Sequence, residues 1–159
     1  MDVARMFREY ANLDRMRRQG GLSPRDLARW QALKRKLGQH FSPGLSDHRA
    51  DARESVRVPT RLRVSFATDG ALAESLITNF SRKGVFVETD CPVEIGAQIE
   101  LRIDVAKPAR SITVRAEVVT HGLGPRLDAR NGMGLRLLEG DPDVEKQLDD
   151  LYERLVHER

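Results

Sequence analysis

The apolar residues of this 159-residue chain change their spacing part-way along, and no other feature limits its fold as much. Up to Phe41 they recur every three or four residues, the helical period. From Leu62 onward they alternate one by one, the period of a half-buried strand. A chain written in both periods must join a helical part to a β part. Val3, Met6, Phe7, Tyr10 and Leu13 predict a helix over residues 2–19, stopped by Gly20-Gly21. Ser23-Pro24 restarts one, with serine as N-cap and proline in the first turn, and Leu27, Trp30, Leu33, Leu37 and Phe41 make its stripe. Two amphipathic helices on a four-residue link form an antiparallel hairpin.

About forty residues cannot bury two such stripes alone, so the hairpin packs on its own β domain or on a second copy. The second copy is preferred, because two hairpins make a four-helix bundle and a symmetric homodimer. Trp30, the only tryptophan, reads as a packing anchor in that seam. Residues 40–52, with Ser42-Pro43-Gly44, read as a linker, which sets the expected division at 1–44 and 45–159. Six short strands follow. They are carried by Leu62, Val64 and Phe66, by residues 72–78, by residues 85–87, by Ile99 to Val105, by Ile112 to Val118 and by residues 133–138. Asp69-Gly70 and Lys107-Pro108-Ala109-Arg110 connect neighbouring strands. Asp141-Pro142 caps a last helix with Val144, Leu148, Leu151 and Leu155 on one face. The expected fold is mainly β: a six-stranded antiparallel barrel with a C-terminal helix, preceded by the helical hairpin.

Charge narrows the function. Residues 1–40 hold ten Lys/Arg against four Asp/Glu, residues 41–63 five against three, and residues 64–159 twelve against seventeen. The positive end therefore lies in the first 63 residues and suits an anionic ligand or partner. His40, His48, His121 and His157 are scattered and the single Cys91 has no companion, so neither a metal site nor a disulfide is expected. Phosphate-loop, dinucleotide and nucleophile-elbow motifs are all missing, so no enzyme is expected and no cofactor. No apolar run spans a bilayer, and Met1 to Arg5 lacks a signal-peptide core, so the expected location is the cytoplasm. Arginines ring the apolar stripes as a solvated face would, without interleaved aromatics, so nucleic acid is not the expected partner.

Two segments stand out. Arg53 and Arg57 are four apart just before the first strand, and Asn79-Phe80-Ser81-Arg82-Lys83-Gly84 follows the second. The first segment resembles the R-x-x-x-R motif of the PilZ domains, and the second resembles their [D/N]-x-S-x-x-G motif. Asn131-Gly132-Met133-Gly134-Leu135-Arg136-Leu137 is similar to a strand that closes many PilZ barrels. The resemblance covers about residues 49–140. It implies a receptor for the bacterial second messenger cyclic di-GMP that signals to an unidentified protein partner through the hairpin. It implies a site of Arg53, Arg57, Asn79, Ser81 and Gly84, with Arg49 and Arg82 as additional contacts. A guanidinium fork suits both phosphate and guanine, and its flat face can stack on a base. Many family members carry another arginine where Ala52 stands, which here implies one nucleotide per domain. Glu54 is placed to pair with a motif arginine in the empty state, and the Arg49–Arg57 segment is expected to be mobile then. The alternative is a degenerate PilZ-like interaction module that binds no nucleotide.

Overall fold

Capping chemistry starts both long helices where the sequence places them. The computed structural model describes residues 2–53, 55–68, 70–106, 109–123, 131–138 and 140–157. Helix α1 spans Val3–Gln19 and α2 spans Pro24–Phe41. The Asp2 carboxylate accepts from the Arg5 N–H and the Ser23 hydroxyl from the Asp26 N–H, satisfying donors of each first turn. The chain divides into two compact units: Met1–Val58 with Leu151–Arg159, and Pro59–Asp150. The expected division at residues 44/45 falls inside the first.

In the first unit, α1 buries Phe7, Tyr10 and Leu13, and α2 buries Trp30, Leu33 and Leu37. Each such side chain contributes about 1.5–3 kcal/mol on leaving water, an upper estimate because the unfolded chain is already partly collapsed. Trp30 is the anchor that its size suggested. Its indole N–H donates to the Asp14 carboxylate and its ring stacks on Tyr10 at 6.4 Å between centroids. Met16 and Leu27 remain exposed. The linker reading of residues 40–52 is corrected: α2 runs to Phe41, and a short α3 occupies Asp47–Ala52. Ser46 caps α3 by accepting from the Arg49 N–H, and Ala50 and Leu45 pack against the bare face of Gly38. Six residues are too few to show a helical period, so nothing in the spacing announced it.

The second unit is the barrel. Its strands are β1 (Val58–Thr68, its first residue belonging to the other unit), β2 (Ala71–Phe80), β3 (Gly84–Glu88), β4 (Gln98–Ala106), β5 (Ala109–Leu123) and β6 (Asn131–Leu137). They close in the order β1-β2-β3-β6-β5-β4, and β1 seals on β4 through Val64 opposite Ile103 and Ser65 opposite Arg102. Alternation puts Val64, Phe66, Leu101, Ile103, Ile112, Val114, Val118 and Leu135 inside, as their period requires. Asp69, Lys107 and Pro108 of the expected turns lie outside the described residues. Ala109 and Arg110 belong to β5, paired with Ala106 and Val105, so the second connection is shorter than expected.

One strand differs in a way that matters to the site. The expected end of β2 at residue 78 is corrected to Phe80. Its pairing with β3 slips between Ile77 and Asn79, leaving Thr78 as an extra residue. The slip returns Phe80 to the face of Ile77, opposite Val85 and Val87 in the core. A similar slip between Val118 and Thr120 pushes Val119 out to solvent. Helix α4 (Pro142–His157) is capped by Asp141, whose carboxylate accepts from the Asp143 N–H. It begins in the barrel unit and ends in the helical one.

Candidate ligand-binding site

Arg49, Arg53 and Arg57 all belong to the first unit, on or just after α3. Arg53 is half-buried and its pKa is pushed down to about 10, by burial first and then by the charges of Arg57 and Arg49. Arg57 is also pushed down, by partial burial and then by Arg49, although water still reaches it. The three guanidinium groups are therefore close enough to repel one another. Among the described residues none of them pairs with a carboxylate, and the Arg53 guanidinium donates to the Ser42 hydroxyl at 3.5 Å. Glu54 lies outside the described residues. The nearby acids on α3 are engaged elsewhere: Arg35 forks onto Asp51 at 2.6 and 3.1 Å, and Gln39 donates to Asp47.

The backbone on either side of Glu54 is held by side-chain hydrogen bonds. Lys34 of α2 donates to the Asp51 carbonyl at 3.0 Å and to the Arg53 carbonyl at 2.7 Å. Three residues on, the Val56 N–H donates to the Tyr10 hydroxyl at 3.3 Å, and the Tyr152 hydroxyl donates to the Val56 carbonyl. Lys34 and Tyr152 escaped the sequence reading, and Tyr10 was read only as a member of the α1 stripe. Lys34 sits four residues after Trp30, on the stripe itself, and that position is the signal that could have found it. It lies under 10% exposed with its ammonium over the Trp30 ring, and burial lowers its pKa.

Asn79, Ser81 and Gly84 belong to the second unit. Asn79 and Gly84 are strand residues, so only Ser81–Lys83 form the turn, a correction to the expected Asn79–Gly84 loop. Asn79 pairs across from Phe86, is 6% exposed, and its side-chain amide has no hydrogen-bond partner among the described residues. Its amide atoms are not among the sealed polar atoms left unsatisfied, so they remain accessible to water or to a ligand. The Ser81 hydroxyl, in contrast, is engaged: it accepts from the Gly84 N–H at 3.1 Å and donates to the Gly84 carbonyl at 3.0 Å. Gly84 has no positive φ. A side chain there would come within 3.0 Å of the Leu135 carbonyl on β6, so close strand packing explains the glycine. Arg82, expected as an additional ligand contact, is mostly buried and forms an ion pair with Asp149 of α4. A cleft of about 330 Å³ on β1, β2 and β4 holds none of these residues, and its Glu74 and Asp104 oppose an anion.

Among the described residues no group of three or more His, Cys, Asp or Glu stands together to hold a metal, and no helix is long and apolar enough to cross a membrane. A search of curated proteins found no match. Several solved structures do resemble the chain. The inhibitor of motility MotI/DgrA of Bacillus subtilis is 22% identical with a TM-score of 0.56, over 68% of this chain and 53% of that one. The PilZ domain of Escherichia coli YcgR, solved with c-di-GMP, is 15% identical with a TM-score of 0.56, over 67% of this chain and 93% of that one. The c-di-GMP-dependent transcription regulator MrkH of K. pneumonia is 13% identical with a TM-score of 0.57, over 69% of this chain and 53% of that one. The chain thus spans about half the length of two of these proteins. The family model of the PilZ domain matches residues 51–154, well over half the sequence, and the chain belongs to the PilZ domain family.

Proposed function

We propose that the chain is a receptor for cyclic di-GMP, taken up by Arg53 and Arg57 with Asn79, Ser81 and Gly84, and that binding is passed to a protein partner through the helical hairpin. The observation that carries this reading is the set of three mutually repelling guanidinium groups with no carboxylate partner among the described residues. A ligand bearing two phosphodiester charges relieves that repulsion, and each fork can also address the O6 and N7 of a guanine. The unpartnered Asn79 amide supports the same reading, as does c-di-GMP in the related YcgR domain. Arg49 is the additional contact, and Arg82 joins only by leaving Asp149. Ala52 in place of a further arginine favours one nucleotide per domain. The reading places the protein in the bacterial cytoplasm as a non-enzymatic effector.

One observation favours the alternative of a module that binds no nucleotide: the Ser81 hydroxyl is occupied on both sides by Gly84. Calorimetric titration with cyclic di-GMP separates the two. Saturable binding by wild type that is lost in Arg57→Ala is the expected result. Wild type that takes up no heat at micromolar concentrations selects the alternative.

A further inference from the structure

We propose that Tyr10, Lys34 and Tyr152 are positioning residues for the nucleotide site: they hold the Arg53–Arg57 backbone in its binding form and make the helices part of the binding equilibrium. The inference rests on the cyclic di-GMP reading above and adds how that site is set and read. Four hydrogen bonds carry it. Lys34 holds the carbonyls of Asp51 and Arg53, and the two tyrosines hold both polar groups of the Val56 backbone. The donors and acceptors come from three different helices, α1, α2 and α4, and converge on the stretch that carries the two arginines. Val56 itself is buried, so neither of its polar groups has water as a ready substitute. None of the three residues need touch the nucleotide. Their effect is to remove backbone freedom that binding would otherwise have to freeze out.

Coupling of this kind is reciprocal: whatever the helices contribute to affinity, the ligand returns as stability of the helical seam. The seam contains its own reporter. Trp30 stacks on Tyr10 and lies under the Lys34 ammonium at 4.6 Å, so two of the three anchors contact the only indole in the chain.

The test uses the full-length protein and cyclic di-GMP as the probe, followed by calorimetry and by Trp30 emission. Tyr10→Phe and Tyr152→Phe keep the rings on Phe7 and remove only the hydroxyls. Each is expected to weaken binding about three- to tenfold, the range of one neutral hydrogen bond. Wild type is expected to show a ligand-dependent change in Trp30 emission that shrinks in Tyr10→Phe. A purely structural role would lower the melting temperature while leaving affinity and the emission change intact. That result, in variants still folded at the assay temperature, overturns the inference and leaves the receptor reading standing. Wild type that binds nothing overturns both.

Discussion

At the scale of single residues, guanidinium geometry and glycine packing give the sharpest expectations. Arg53→Lys keeps the charge and loses the fork, so cyclic di-GMP affinity is expected to fall roughly ten- to a hundredfold, the worth of one charged hydrogen bond. An unchanged calorimetric affinity would remove Arg53 from the site. Gly132→Ala tests strand packing, because the added methyl would collide with the Val87 carbonyl and the Phe86 ring. About 1–3 kcal/mol of destabilisation is expected, read from denaturant melts, with no direct effect on the ligand. Some of this was legible in the sequence. The arginine pair and Asn79 were legible through their resemblance to the PilZ motifs, and the glycines of β6 through the resemblance of that segment to a PilZ barrel strand. The occupation of Ser81 and Arg82 could not, because each depends on a partner fixed by the fold: Gly84 across a turn, and Asp149 sixty-seven residues away.

At the scale of elements, the helices and strands followed from period and capping, and the failures came where period is silent. Helix α3 is too short to repeat, and the slip at Thr78 adds a residue that alternation cannot foresee. Buried Asp14 and Lys34 sat on apolar stripes and were passed over. Asp14 pairs with Arg17 and Arg18 and accepts a hydrogen bond from the Trp30 N–H. Pairs at the helix surfaces set the response to acid. Arg29 holds Glu9 below the usual carboxylate range, mainly by hydrogen bonding, and Arg35 does the same for Asp51. A carboxylate with a depressed folded pKa stabilises the fold above its unfolded value and loses that contribution as pH falls. The links of α1 to α2 and of α2 to α3 are thus expected to weaken progressively below about pH 4. Melting curves of wild type and Arg29→Ala should converge there; a constant gap down to acid pH would assign Arg29 no such role. The effect is small, since both pairs are exposed and screened by water.

For the whole molecule, the positive charge of the first 63 residues against the acidic remainder predicts a salt-sensitive site. Raising salt from about 0.1 M to about 1 M shortens the screening length from roughly 10 Å to 3 Å and should weaken nucleotide binding severalfold. Titrations that superimpose at both salts would point to recognition through the guanine edges alone. Closure of the sheet by β1 on β4 has a consequence for recruitment. Among the described residues that seam is registered over two residue pairs only, so the flanking stretches of β1 and β4 are where a visiting peptide would find backbone groups to pair with. Under the receptor reading, a partner can therefore be sought through side chains and through this short seam alike, and surface substitutions scanned beside strand-mimicking peptides would tell the two footprints apart.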